Sequence, residues 1–367
     1  MIKNCYIHIP FCDKICSYCD FCKMYKIDKF VDTYLDALER EIKSIYKGEE
    51  LDTIYIGGGT PSSLSIDELE RLFEILSIFK KSSDCEYTIE CNFENIDREK
   101  LKLYKSVGIN RLSFGIETTN KSSLELLERE LDKDKVKEVI RDCRELGFNN
   151  INVDLMYALP NESIKDLEDD LNFIYSLDVE HISTYSLIIE DHTKLCINNI
   201  KNISEDLDYD MYKYICSSMK SNEYNHYEIS NFSKPGYESK HNTCYWNNDN
   251  YYGFGLGASS YIDNMRITNT RSLDNYSKEK YVKEVEYLND EDKMEYEVIL
   301  NLRKSDGIDL NIFKNKYNKE LIDVYNYNDL VNLGLLELGN NHLYIPEDKW
   351  YISNSIIVDV LEKKIYG

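Results

Sequence analysis

Short apolar runs and longer amphipathic stretches alternate over the first half of the chain. Runs rich in β-branched and aromatic residues predict six strands, at 5–9, 53–56, 86–90, 111–115, 150–155 and 181–187. Between them, apolar residues recur three and four positions apart and predict helices at 29–46, 66–79, 98–106, 135–146 and 164–176. Strands joined by single helices form right-handed units around a parallel sheet. The pattern therefore predicts an α/β fold with a partial (β/α)6 TIM-type barrel.

The alternation stops after about residue 190. One helix is predicted at 205–220, and a glycine- and aromatic-rich tract follows at 224–261. Helices at 293–302, 310–317 and 328–333 and a hairpin at 335–345 predict a winged-helix-like module. We expect three parts: the barrel at 1–190, an α+β accessory region at 191–288 that completes the site, and the C-terminal module at 289–367.

Composition narrows the class of protein. The chain has 44 Lys and Arg against 67 Asp and Glu, a net charge of −23, which argues against binding to nucleic acid. The first residues lack the features of a signal peptide, and no apolar stretch approaches the ~18 residues of a membrane span. Eleven cysteines in such a chain suggest a reducing cytosol. We expect a cytoplasmic protein without a transmembrane segment, and peripheral membrane contact is left open.

Three cysteines, Cys12, Cys16 and Cys19, follow the first predicted strand at Cys-x-x-x-Cys-x-x-Cys spacing. Thiolates this close can bind three irons of a [4Fe–4S] cluster and leave the fourth iron without a protein ligand. The open iron suits the amino and carboxylate groups of S-adenosylmethionine, which the cluster can then reduce. The alternative is a structural zinc site with Cys22 as a fourth ligand.

A glycine-rich turn at 57–61, which includes Gly58, Gly59 and Thr60, follows the second predicted strand. Glycines allow a ligand to approach the backbone closely. The turn matches no phosphate-binding motif, so beside the cysteine loop it suits the methionyl ammonium. An ordinary tight turn between a strand and a helix is the alternative.

Carboxylate residues occur at, near or just beyond the ends of three later predicted strands. They are Glu90, Glu117 and Asp154. They could accept hydrogen bonds from ribose hydroxyls or an amino group. Arg129, on the predicted helical stretch after the fourth strand, could pair with the methionyl carboxylate. Because barrel chemistry lies at the carboxyl ends of the strands, we expect these residues to share one face.

A second candidate site lies in the aromatic tract, where His241, Tyr245 and Trp246 belong to a His-Asn-Thr-Cys-Tyr-Trp run. Histidine is a common haem ligand, and the two aromatic rings offer faces for a planar macrocycle. The alternative is a capped aromatic turn packed on the barrel. Lys240, Arg266 and Arg271 are nearby cations in the sequence that could serve the ligand's propionates.

These motifs together resemble the radical S-adenosylmethionine proteins related to oxygen-independent coproporphyrinogen III oxidase. The resemblance rests on the cysteine segment at 6–21 and the glycine turn, and on four later segments at 110–115, 154–160, 227–232 and 302–307. It implies Cys12, Cys16 and Cys19 as [4Fe–4S] ligands. It further implies a group of residues at or near bound S-adenosylmethionine: Tyr6, Tyr18, Gly58, Gly59, Thr60, Glu90, Glu117, Arg129 and Asp154.

Within that family, the His-Asn-x-x-Tyr-Trp run is typical of the HemW branch, whose members bind haem and are regarded as haem chaperones. The oxidase members carry an N-terminal extension, whereas this chain begins shortly before Tyr6. Glu117 also stands where the oxidase has glutamine, which argues against the oxidase's second S-adenosylmethionine site. The resemblance therefore implies haem as cargo and apo-haemoproteins as acceptors. Oxidative decarboxylation of coproporphyrinogen III to protoporphyrinogen IX is the alternative activity.

Overall fold

Strands and helices alternate over the first half of the chain in the computed structural model, which describes residues 1–365. The strands are β1 (Asn4–Ile9), β2 (Phe11–Cys12), β3 (Met24–Tyr25), β4 (Glu50–Gly58), β5 (Lys80–Cys91), β6 (Arg111–Glu117), β7 (Ile151–Tyr157), β8 (His181–Ser186), β9 (Asn225–Glu228), β10 (Asn231–Ser233), β11 (Tyr251–Phe254), β12 (Ser259–Ile262), β13 (Met265–Asn269), β14 (Val282–Tyr287), β15 (Ile308–Asp309), β16 (Glu337–Gly339) and β17 (His342–Tyr344).

Most of the connections between these strands are helical. The helices are α1 (Asp28–Ile45), α2 (Ile66–Leu76), α3 (Arg98–Ser106), α4 (Lys121–Leu127), α5 (Lys133–Glu145), α6 (Ile164–Tyr175), α7 (Lys194–Ile197), α8 (Glu205–Ser221), α9 (Lys240–Trp246), α10 (Leu273–Ser277), α11 (Asp290–Asn301), α12 (Leu310–Tyr317), α13 (Leu321–Val324), α14 (Asn328–Asn332) and α15 (Ser353–Glu362). Short 3-10 helices occupy Pro61–Ser63, Phe93–Asn95 and Glu347–Ile352.

The chain divides into two compact units. The first contains Met1–Ile215 and Asn250–Glu286, and the second contains Cys216–Asp249 and the chain from Tyr287 onward. The three-part division expected from the sequence stays a prediction.

The first unit is built around a sheet whose central strands are parallel. Strands β1, β4, β5, β6, β7 and β8 are adjacent in that order and every neighbouring pair is parallel. These are the six strands that the alternating pattern predicts. Most of their ends lie within three residues of the predicted ones, and β5 begins six residues earlier than predicted. The α/β fold class is confirmed, with a TIM-like core.

A further strand, β11, pairs in parallel with the other side of β1, and the antiparallel strands β12 and β13 continue the sheet. The hydrophobic pattern did not predict these three strands. β11 contains Gly253, and glycine is a weak strand former. Gly253 is required there, since a Cβ at this position would lie 1.8 Å from the carbonyl oxygen of Ser259.

The two faces of the parallel strands differ in polarity. One face carries fully buried apolar side chains such as Ile7, Ile56 and Phe114. Alternate residues on the other face are polar, and they include Tyr6, Tyr55, Glu90, Arg111, Asn152, Asp154, His181 and Ser183. Successive strand residues point to opposite faces, so one side of the sheet is lined almost entirely by hydrogen-bonding groups.

The second unit is smaller and mixed. Strands β9 and β10 are antiparallel, and β15, β17 and β16 form a three-stranded antiparallel sheet. The predicted hairpin is thus present as β16 and β17. Trp350 anchors the segment after the hairpin by donating its indole N–H to the carbonyl of Ile345 at 2.8 Å.

Across residues 1–365, no helix has both the length and the apolar composition needed to cross a bilayer.

Candidate functional site

The three motif cysteines lie at the end of β2 and in the loop that leads from β2 to β3. Cys12 ends β2 and is 6% exposed, while Cys16 and Cys19 are half-buried. The loop is closed at its base, because the amide of Lys26 donates to the carbonyl of Cys12 at 3.0 Å. The structure therefore holds all three thiols in one short, anchored segment.

Two of the sulfurs each have a polar neighbour from a distant segment of the chain, Thr60 in the turn after β4 and Arg129 beyond α4. The Thr60 hydroxyl lies 3.7 Å from Sγ of Cys12, and Nη1 of Arg129 lies 3.6 Å from Sγ of Cys16. Burial raises the pKa of the Cys12 thiol to about 11, and the Thr60 hydroxyl opposes that rise. Thr60 and Arg129 would thus stabilise negative charge on the cysteine sulfurs.

Cys22 sits apart from these contacts. Its carbonyl lies 2.7 Å from Nε2 of His8, whose Nδ1 lies 2.9 Å from the Tyr6 hydroxyl. A carbonyl only accepts, so we assign the proton of this neutral imidazole to Nε2, with Tyr6 donating to Nδ1. Burial lowers the pKa of His8, which agrees with the neutral form. The Cys22 side chain packs instead against Gly257, where an added Cβ would lie 3.2 Å from Sγ.

The glycine turn lies against both the cysteine loop and Glu90. The amide of Gly58 donates to Oε2 of Glu90 at 2.9 Å, and the Tyr55 hydroxyl donates to Oε1 at 2.8 Å. A Cβ on Gly59 would lie 2.9 Å from Sγ of Cys12, and Gly58 has a φ of +120°. The turn therefore requires glycine here, both for conformation and for close approach.

Arg129 and Glu117 form a buried ion pair. Nη1 of Arg129 lies 3.7 Å from Oε1 of Glu117, and the two side chains are 11% and 10% exposed. Nη2 also donates to the carbonyl of Gly115 at 3.0 Å, and the Tyr18 hydroxyl donates to Glu117. Burial disfavours the charge on Arg129, but Glu117 and then Tyr18 and Cys16 outweigh it and raise the pKa of the guanidinium.

The structure corrects the expected position of Arg129. It lies not on a helix but two residues beyond α4, which ends at Leu127. Glu128 adopts a left-handed conformation with φ +55°, which no α-helix continues through, and the amide of Arg129 then bonds to the carbonyl of Leu124. This turn is what directs the guanidinium toward the cysteine loop.

Asp154 is held by a hydrogen-bond network on the polar face of the sheet. Nδ2 of Asn152 donates to Oδ1 of Asp154 at 2.7 Å and to the Ser113 hydroxyl at 2.8 Å. Oδ1 of Asn152 accepts from Nδ1 of His181 at 2.6 Å and from the Ser183 hydroxyl at 3.1 Å. All four bonds of the Asn152 amide are therefore used, which fixes its orientation.

Sequence reasoning missed three of these interior residues. Arg111, Asn152 and His181 are 1%, 2% and 0% exposed, and Arg111 acts electrostatically on Glu90. The signal that could have found them is the alternation of polar residues within otherwise apolar strands, such as Asn152 and Asp154.

The residues around the cysteine loop fit a thiolate-bound cluster. The donor set is three thiols in one short segment, and the hydroxyl and guanidinium near two of the sulfurs could donate hydrogen bonds to them. Within the described part of the chain, no group of three or more His, Cys, Asp or Glu side chains is arranged to hold a single metal ion.

Asp154 should make the stability of the cluster-free protein depend on pH. Burial, and then Glu117, raises the pKa of Asp154 to about 7, against roughly 4 in an unfolded chain. Between these values the native state binds the extra proton, so the free energy of unfolding should fall as pH rises, by at most about 1.4 kcal/mol per unit.

Asp154→Asn should flatten that slope in urea unfolding measured at pH 5, 6, 7 and 8. Asp210→Asn, at an exposed carboxylate, is the matched control and should leave the slope unchanged. An unaltered slope in Asp154→Asn would contradict the prediction.

The second candidate site lies on α9, in the second unit. Ser239 caps the helix by accepting from the amide of Asn242, so the segment is a capped helix and not a turn. His241 is 1% exposed, and its Nε2 lies 2.8 Å from the Tyr245 hydroxyl. Trp246, at the end of the helix, is half-buried. Tyr245 must therefore give up this hydrogen bond before Nε2 of His241 can bind iron.

Two protein families match parts of the chain. The Radical SAM superfamily matches residues 6–174, which contain the cysteine loop, the glycine turn and the carboxylates. The HemN C-terminal domain matches residues 288–348.

Two curated proteins are similar to the chain along nearly its whole length. Heme chaperone HemW of Bacillus subtilis (strain 168) is 38% identical over 97% of this chain and 98% of its own length. Heme chaperone HemW of Lactococcus lactis subsp. lactis (strain IL1403) is 36% identical over 96% of each chain.

Among solved structures, the coproporphyrinogen III oxidase HemN of Escherichia coli, described as a radical SAM enzyme, has a TM-score of 0.86. It is 22% identical, and the match covers 97% of this chain and 89% of that one. At this identity the likeness concerns the fold.

Proposed function

This chain belongs to the heme chaperone HemW family of radical SAM proteins, and from that premise we propose that it binds haem and delivers it to apo-haemoproteins. The observation that carries the proposal is the similarity to named haem chaperones along almost the whole of both chains. The radical SAM family implies a [4Fe–4S] cluster and S-adenosylmethionine.

Cys12, Cys16 and Cys19 would hold the cluster, and the cluster would supply the electron that splits S-adenosylmethionine when the two are bound. Around them the chain supplies binding and orientation. Arg129 offers a guanidinium for the methionyl carboxylate, and Thr60 and Arg129 place positive or donor groups at two of the sulfurs.

The carboxyl groups of Glu90, Glu117 and Asp154 are close enough to act on one another electrostatically. Glu90 is oriented by the Gly58 amide and the Tyr55 hydroxyl, and Asp154 is oriented by Asn152. Such fixed acceptors suit ribose hydroxyls and an ammonium group. Tyr6 lies opposite Tyr55, whose hydroxyl bonds to Glu90, and the Tyr18 hydroxyl bonds to Glu117.

Haem binding is assigned to α9. His241 is the candidate iron ligand, and Tyr245 and Trp246 supply ring faces. The hydrogen bond between His241 and Tyr245 would hold the imidazole in position before haem binds.

A matched pair of variants tests this assignment in the anaerobically reconstituted protein. Haem titration should give a saturable absorption band. His241→Ala should change that band because the iron loses an axial imidazole. Tyr245→Phe keeps the ring and removes the hydroxyl that bonds to Nε2, so it should preserve the band with equal or higher affinity. Equal loss in both variants would contradict His241 as the ligand.

Delivery and the alternative activity need separate assays. The haem-loaded protein should transfer its haem to apomyoglobin, used as a probe acceptor. Incubation with coproporphyrinogen III and S-adenosylmethionine should give no protoporphyrinogen. Sustained decarboxylation in that assay, without haem transfer, would overturn the proposed function in favour of the oxidase activity.

A further inference from the structure

A second guanidinium lies beside the aromatic end of α9. The Cζ atom of Arg303 is 6.0 Å from the centre of the Trp246 ring and over its face. Both side chains are half-buried and belong to the second unit. Arg303 is distant from Trp246 in the sequence, whereas Lys240, Arg266 and Arg271 are near it. Sequence proximity therefore did not point to Arg303.

The backbone holds Arg303 in a fixed position. The amide of Ile229 donates to the Arg303 carbonyl at 3.0 Å, and the amide of Ser305 donates to the carbonyl of Tyr227, also at 3.0 Å. Glu228 and Lys304 form an antiparallel bridge between these two bonds. The backbone of Arg303 is thus already paired with the end of β9. Ordering this backbone therefore adds little to the entropic cost of binding a ligand.

The guanidinium keeps most of its hydrogen-bonding capacity. Nη2 donates to Oδ1 of Asn354 at 2.8 Å, which orients the planar group. A guanidinium carries five N–H donors, and within residues 1–365 this bond to a neutral amide is the one that its side chain makes. In the part of the chain that the structure describes, this guanidinium forms no ion pair, and Glu228 acts on it only electrostatically.

From these contacts we propose that Arg303 and Trp246 form a recognition site for a propionate carboxylate of a tetrapyrrole. This inference rests on the proposed function and names the group that binds the cargo's charge. Arginine binds a carboxylate through two parallel N–H bonds, and the indole offers an apolar face next to it. In a chain with a net charge of −23, an anionic cargo needs such a local cation.

A structural role for Arg303 is the competing explanation. Glu228 is fully buried, burial raises the pKa of its carboxyl to about 7, and Arg303 acts on it in the opposite direction. Arg303 could therefore serve only to compensate this carboxylate. That role predicts equal effects on all ligands, whereas propionate recognition predicts an effect only on ligands that carry the charge.

The test compares haemin with haemin dimethyl ester, in which both propionates are neutral, by absorbance titration of the reconstituted protein in one detergent-containing buffer. The unaltered protein should bind haemin at least about tenfold more tightly than the ester. Arg303→Gln should lose about tenfold or more for haemin and little for the ester. Arg141→Gln, at an exposed arginine, is the control and should bind both ligands as the unaltered protein does.

The outcomes separate the two proposals. If the unaltered protein binds neither ligand, the proposed function fails and this site falls with it. If it binds haemin and the ester equally well, or if Arg303→Gln weakens both ligands equally, the propionate site alone is overturned. The comparison of ligands on the unaltered protein needs no variant, so it decides the matter even where Arg303→Gln does not fold.

Discussion

Replacing Cys12, Cys16 or Cys19 by alanine is expected to abolish the [4Fe–4S] cluster, whereas Cys22→Ala should retain it. The three candidate ligands lie in one short segment, and loss of one thiolate would leave a second iron of the cluster without a protein ligand. Cys22 packs against Gly257, and its carbonyl is tied to His8. Its sulfur is therefore not needed for the site. Iron and sulfide analysis and the EPR signal of the reduced protein measure the result.

Cys22→Ala also separates the cluster from a zinc site. If Cys22 were a fourth zinc ligand, the variant would lose metal as completely as the other three, and metal analysis would find zinc in place of iron. Full cluster loss in Cys22→Ala would contradict the assignment of three ligands. Cys196→Ala, at a half-buried cysteine on α7, is the control for general effects of removing a thiol.

Removing Arg129 should give the second large effect. Arg129→Met leaves the Glu117 carboxylate buried without its partner, and breaking such a pair costs about 3–5 kcal/mol. The same change removes the candidate partner of the methionyl carboxylate. We therefore expect a lower free energy of unfolding and loss of the effect of S-adenosylmethionine on the EPR signal of the reduced cluster.

A double variant separates these two consequences. Glu117→Gln together with Arg129→Met removes both charges, so most of the stability should return in urea unfolding. Binding of S-adenosylmethionine should not return, because no cation replaces the guanidinium. Recovery of the EPR response in the double variant would show that Arg129 acts only through Glu117 and does not contact S-adenosylmethionine.

The sequence was sufficient for the six parallel strands because each is a local signal. A run such as Ile151 to Leu155 is apolar on one face and bounded by polar residues, and a helix separates it from the next run. The same local reasoning failed for β11. Gly253 is needed because the Ser259 backbone lies too close for a side chain, and the residues next to Gly253 in the sequence do not indicate that close approach.

The candidate site divides in the same way. Cys12, Cys16 and Cys19 lie in one short segment, so their spacing in the sequence alone indicated a cluster. The partners of those sulfurs lie far along the chain, and only folding brings Thr60 and Arg129 to them. Arg129 also required a left-handed turn at Glu128, which a helical pattern does not predict.

The sequence by itself was sufficient for the fold class, which follows from local periodicity, and for the family, which the ordered motifs resemble. The spacing of Cys12, Cys16 and Cys19 also predicts the cluster ligands from one short segment. The tertiary structure alone decided which charged, polar and aromatic side chains contact one another. Glu117 faces Arg129, Asn152 orients Asp154, and Arg303 lies over Trp246. The physical reason is that hydrogen bonds and ion pairs act over a few ångströms in space, whereas most of these partners lie on different elements of the chain.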